Sequence, residues 1–292
     1  MKLKNPKDFF LNLLKGSAIG ISMIIPGFSG GTIAVLLNIY DSILEAITGI
    51  FKNFKRSILT LLPLAIGAVI GFIILVFPLE YSLAKIPLII TSLFVGFIIG
   101  GLPFLYKKVQ GNENFVSILV GLLTMAFTIS LCFFKSSFTI DLSVINVGTW
   151  FYLLLSGFLA SIALVAPGIS GSMTLMVLGV YASLISTIKE LISLSNFTHN
   201  ILVIIPVAIG LVIGFFLMSF LMKYLLKKHT ISTYFAILGF IIGSIVTIYY
   251  TAISDAKTPI KFDITNISFS LIALIIGIGG TFLVERLAIK KQ

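Results

Sequence analysis

Two short stretches carry the polar chemistry of an otherwise oily chain. One is "IPGFSGGT", with Pro26, Gly27, Ser29, Gly30, Gly31 and Thr32; the other is "APGISGSMT", with Pro167, Gly168, Ser170, Gly171, Ser172 and Thr174. Pro-Gly stops a helix, glycine lets the backbone approach another group closely, and serine supplies a hydroxyl where a following helix would be capped. Backbone that leaves helical geometry inside a bilayer has N–H and C=O groups that cost several kcal/mol each against lipid. Such a break survives only against protein or a watery cavity. A strong apolar helix is expected after each motif, and its first N–H groups, with about half a positive charge, favour an anion. The chemistry this anticipates is a cradle of backbone and hydroxyl donors for a compact anion. Alone, either stretch reads equally well as a tight packing turn whose serine caps its own helix. Their recurrence at an offset of 141 residues argues for a site, because paired interruptions in corresponding positions of two halves point to a midplane binding site.

The remaining polar residues offer less. Asp41 and Glu45 lie four apart on one helical face, about 16 and 22 Å beyond Gly30 if the helix runs straight. They read as residues near a solvated helix end, or as groups coupling transport to a proton or another cation. His199 and His229 have no second ligand at metal spacing, so no metal site and no cofactor are expected. Ser29 and Ser170 have no His, Asp or Glu within several residues to activate them as nucleophiles, which argues against hydrolysis.

The elements that must position the motifs follow from hydropathy. The 292-residue chain is 58% hydrophobic and 10% charged, with a mean hydropathy of +1.17, far from the roughly 25% charged fraction of soluble domains. Apolar runs of about 20 residues, enough to cross a core of about 30 Å, lie near 58–79, 86–106, 115–134, 201–222, 232–251 and 267–284. Two more apolar stretches, 16–50 and 148–194, are too long for one helix and are broken by the motifs. Residues 1–15, with Phe9, Phe10, Leu13 and Leu14 among lysines, read as an interfacial amphipathic helix and not as a signal peptide. The single cysteine, Cys132, lies in an apolar run and leaves no intramolecular disulfide to form.

The chain also repeats itself beyond the motifs. Gly16 and Tyr40 match Gly157 and Tyr181 at the offset of 141, while Pro63, Gly67, Gly71, Gly96 and Gly100 match Pro206, Gly210, Gly214, Gly239 and Gly243 at 143. Close helix packing accounts for the paired glycines at GxxxG spacing. Charge then sets the orientation. If the N-terminus is inside and each broken stretch returns to the side it entered from, fifteen of the twenty basic residues fall inside, as the positive-inside bias requires. The other five, Lys85, Lys135, Lys189, Lys257 and Lys261, are balanced outside by Glu80, Asp141, Glu190, Asp255 and Asp263. The net charge of +10 is therefore a topology signal, and nucleic acid is excluded as a partner for want of a soluble basic face. The expectation is an all-α, polytopic integral membrane protein of two inverted repeats, 16–147 and 148–292. Each repeat has one re-entrant hairpin, 16–50 or 148–194, and three spans. That plan belongs to secondary transporters.

With these motifs, length and inverted halves, the chain resembles the PopT-type polyprenyl-phosphate transporter family of bacterial membranes, long known only as a domain of unknown function. The resemblance spans nearly the whole chain. It implies a multi-pass protein of the cytoplasmic membrane, with both termini cytoplasmic, that returns undecaprenyl phosphate from the outer to the inner leaflet for envelope polymer synthesis. The implied partners are a lipid phosphate, membrane lipids and a proton or other coupling cation. Ser172 stands where the first copy has Gly31, a departure from symmetry of the cradle. Two alternatives stay open at this point: a secondary transporter of another small anion, and a polyprenyl pyrophosphate phosphatase.

Overall fold

The computed structural model describes residues 6–23, 29–133, 140, 142, 145–192, 196–254, 260 and 262–289. Pro26 and Gly27 lie outside them. Among the described residues the chain is helical throughout, apart from turns and connections. The first half holds α1 (Pro6–Ser22), α2 (Gly30–Leu36), α3 (Tyr40–Thr48), α4 (Phe54–Lys85), α5 (Pro87–Tyr106) and α6 (Phe115–Ser130). The second holds α7 (Val147–Val165), α8 (Gly171–Val177), α9 (Tyr181–Ile192), α10 (Phe197–Lys228), α11 (Thr230–Ser254) and α12 (Ile264–Ile289). Seven of these helices are long and apolar enough to cross a membrane, and two bent pairs, α2 with α3 and α8 with α9, turn through 114° and 110°. The protein is a polytopic membrane protein with two re-entrant hairpins. The seventh long helix is α7, the first limb of the second hairpin.

Local signals explain where the helices begin. Asn114 and Asn146 accept from the N–H groups of Ser117 and Thr149 at 2.8 and 2.9 Å and so cap α6 and α7. Pro87 occupies the first turn of α5, where its missing N–H costs nothing. Pro63 and Pro206, matched in the repeat, sit inside the 32-residue helices α4 and α10, as membrane helices tolerate.

The matched glycines are sites of helix contact. A Cβ on Gly16 or Gly67 would collide with the backbone of Leu64 or Leu13, locking α1 to α4; Gly157 and Gly210 lock α7 to α10 through Val207 and Leu154 in the same way. This placement differs from the expected interfacial helix ending at residue 15. Helix α1 runs unbroken through that boundary, and Asn12 on it is fully buried.

The remaining four long helices pair across the halves. Gly96 of α5 meets Gly277 of α12, while Gly239 of α11 meets Gly121 of α6. Each half thus surrenders its last helix to the penultimate helix of the other. At the centre α5 packs on α11, with Val95, Ile98, Ile237 and Ile241 essentially without exposure. The two repeats are interlocked around this pair.

Candidate functional site

The two motifs meet inside the protein. The position a Cβ would take on Gly31 is 3.4 Å from the Cα of Pro167 and 3.5 Å from the carbonyl oxygen of Leu164. From the first hairpin, the Tyr40 hydroxyl donates to the carbonyl oxygen of Val165 at 2.8 Å in a buried bond. That carbonyl is one of those left over where α7 stops. Gly168 has a φ of +90° and lies against the backbone of Phe240 on α11. A side chain there would be strained by its conformation and would also clash, which accounts for glycine after Pro167.

Ser29 and Ser170 take the extended backbone of N-cap residues, with φ and ψ of −109° and 130° and of −96° and 125°. Neither side chain makes the expected capping bond. In the second copy Ser170 Oγ pairs with Ser172 Oγ at 2.9 Å, and Thr174 Oγ1 donates back to the carbonyl of Ser170 at 3.1 Å. Gly31 stands at the place of Ser172, so the first copy has no such partner to offer. Ser29 Oγ and Thr32 Oγ1 are buried and make no hydrogen bond among the described residues. The Ser170 and Thr174 hydroxyls of the second site are therefore engaged, whereas those of Ser29 and Thr32 have no partner among the described residues.

The helices after the motifs, α2 and α8, are shorter than expected. They have seven residues each, where a long apolar run was anticipated. Asn38 and Gly179, again 141 apart, take positive φ values of 53° and 68° and turn the chain into α3 and α9. Two turns carry less dipole than a long helix, so the junction offers free first-turn N–H groups and orphan hydroxyls more than a macrodipole. The straight-helix distances assigned to Asp41 and Glu45 fail for the same reason. Both residues lie on α3, beyond the bend, and both are exposed.

Asp41 belongs to a cluster that sequence reasoning missed. Lys108 donates to Asn38 Oδ1 at 2.8 Å and to the Tyr234 hydroxyl at 3.2 Å, its ammonium standing 5.0 Å from the centre of the Tyr234 ring. Tyr234 donates in turn to Asp41 Oδ2 at 3.4 Å. The first bend is thereby tied to the turn after α5 and to α11. The second bend is held by neutral groups, with Tyr152 donating to the Leu178 carbonyl at 2.6 Å and the Ile140 N–H to that of Gly179 at 3.2 Å. The repeated Asn/Gly, succeeded by Ile/Val and then Tyr, was the available signal for both bends. His199 and His229 sit at opposite ends of α10, about 45 Å apart by helical rise.

The sequence that builds this site has relatives among known proteins. A sequence profile described as undecaprenyl phosphate translocase-like, VCA0040-like, matches residues 19–262, which include both motifs and both bends. The chain belongs to this translocase-like family. Its relatives include a polyprenyl-phosphate transporter of Staphylococcus aureus (strain NCTC 8325 / PS 47), 32% identical over 246 residues covering 82% of this chain and 86% of that protein. A polyprenyl-phosphate transporter of Vibrio cholerae serotype O1 is 28% identical over 198 residues, 62% of this chain and 61% of that one. No solved structure matches the translocase-like chain significantly.

Proposed function

We propose that this protein carries undecaprenyl phosphate from the outer to the inner leaflet of the bacterial cytoplasmic membrane, in support of envelope polymer synthesis. The observation that carries the reading is the meeting of Gly31 with Pro167 beside the buried, unpartnered hydroxyls of Ser29 and Thr32. Donors at this junction suit a phosphate, and the cradle we assign comprises Ser29, Gly30, Gly31 and Thr32 with Pro167, Gly168, Ser170, Gly171, Ser172 and Thr174; Pro26 and Gly27, expected in it from the sequence, lie outside the described residues. The polyprenyl tail needs only an apolar path. An apolar cleft of about 680 Å³ between α5, α6 and α11, lined by Leu102, Leu122, Leu238 and Ile242 among others, supports a lateral groove for it. The names of the relatives support the substrate class, and a transport role without bond cleavage.

Inward movement of an anion works against a negative-inside potential by about 2.3 kcal/mol per charge per 100 mV. Coupling to a proton or another cation offsets that cost. Asp41, beside the Tyr234 hydroxyl at a hairpin bend, is better placed for this than Glu45.

Reconstituted protein should move a short-chain polyprenyl phosphate between leaflets and leave the free polyprenol behind, and the rate should respond to membrane potential. Equal rates for phosphate and alcohol would mean that the cradle does not read the anion. Both termini and the basic clusters are assigned to the cytoplasm. In a Cys132→Ser background, Lys55→Cys should resist an impermeant thiol reagent in intact cells whereas Asn146→Cys reacts, and equal labelling would sink the inverted plan.

A further inference from the structure

A second cavity lies at the basic end of the molecule, apart from the motifs. It has a volume of about 530 Å³ and is walled by α3, the start of α4 and the end of α10, so both repeats contribute to it. Three cations line it, Lys52, Arg56 and Lys223, against one carboxylate, Glu45. Among the described residues no ion pair joins any of these three to a carboxylate. Lys223 Nζ donates to Thr48 Oγ1 at 2.8 Å, and Thr48 in turn donates to the Leu44 carbonyl at 2.7 Å. That chain holds the ammonium in the wall. Arg56 supplies a planar fork suited to two phosphate oxygens at once. The excess of two positive charges complements a phosphomonoester, which carries about −1.5 to −2 at neutral pH.

Phe51 and Phe220 line the same cavity and are 83% and 47% exposed. A soluble anion has no use for two bare rings beside its site. A headgroup held by the cations, with its hydrocarbon leaving past the phenylalanines, uses both.

We propose that this cavity binds a lipid bearing a phosphomonoester headgroup, as a site distinct from the paired motifs. Under the transport reading it is where the headgroup arrives at the basic side, but the cavity's chemistry does not depend on that reading.

The test uses the full chain in phosphatidylcholine nanodiscs with a diazirine-bearing lipid phosphate, the cross-linked peptides being mapped by mass spectrometry. Cross-links are expected on peptides containing Phe51 or Phe220, competed by farnesyl phosphate and by phosphatidic acid but not by farnesol or inorganic phosphate at equal concentration. Arg56→Gln/Lys223→Gln should cut this cross-link at least fivefold, while Lys227→Gln, at the same end but outside the cavity, should stay within twofold of wild type. If the double variant does not fold, Lys52→Gln alone should cut it at least twofold. Failure to cross-link there, a double variant equal to wild type, or an equal loss in Lys227→Gln overturns the proposal. Competition by inorganic phosphate as strong as by the lipids would overturn a lipid occupant. Leaflet exchange measured in parallel separates the two readings. Wild type that cross-links here without exchange sinks transport alone, and exchange without cross-linking here sinks the cavity alone.

Discussion

Ser29 and Thr32 are where structure and function pull apart. A buried hydroxyl without a partner costs about 1–3 kcal/mol, so replacing it by an apolar group of similar shape is neutral or stabilising. Ser29→Ala with Thr32→Val should therefore leave the unfolding midpoint in detergent unchanged or higher, and yet lower polyprenyl phosphate transport several-fold. Destabilisation with normal transport would return the pair to a packing role. Replacing Ser170 and Thr174 in the second copy is not equivalent, because both already have partners and Thr174 stands one place beyond the counterpart of Thr32. Gly30 and Gly171 are not equivalent either. A Cβ on Gly30 meets side-chain atoms, the Cγ2 of Ile19 at 3.0 Å and the Cε of Met23 at 3.2 Å, whereas on Gly171 it lies 2.8 Å from the backbone carbonyl oxygen of Ala160. Valine at 171 is consequently a packing lesion before it is a probe of binding.

At the scale of elements, each hairpin is a long limb, a motif, a two-turn helix and a bend. The first is stapled to the second by Tyr40, whose hydroxyl satisfies the Val165 carbonyl at the end of α7. Tyr40→Phe leaves that buried carbonyl without its donor and should destabilise the protein by about 1–3 kcal/mol, read from denaturant or thermal unfolding in detergent. Tyr106→Phe removes a hydroxyl bonded to Glu113 at the surface and should change stability by less than about 0.5 kcal/mol. Equal effects would show that the staple contributes nothing. The two short helices also differ in burial. Helix α2 buries Gly30, Thr32, Ala34 and Val35, while α8 buries none of its residues.

For the whole molecule, the decisive feature is the exchange of helices between halves. Because α12 packs on α5 and α6 on α11 through backbone contact at glycines, neither half alone can cover its own apolar and close-packing surfaces. A chain cut in the connection before Asn146 should give two fragments that are degraded or aggregate when expressed singly. Expressed together, they should copurify as a stable complex. A first half that is monodisperse and helical by itself would contradict the interlocked arrangement.

Composition and hydropathy alone determined that this is a polytopic helical membrane protein, since no other fold buries so many consecutive apolar residues against lipid. The offset of 141 between the motifs was likewise legible. The end of the helix at each motif came from the same residues. The path of the chain beyond each motif was not legible: the bends at Asn38 and Gly179 depend on partners, Lys108 with Tyr234 and Tyr152 with Ile140, that lie far away in the chain. The continuity of α1 through residue 15 was hidden because its face is made by Gly67 and Gly71 on another helix. Equally hidden was which helix each glycine pair joins. GxxxG states that a close neighbour exists without naming it, and only the tertiary structure could assign α12 to α5, α6 to α11, and Gly31 to Pro167.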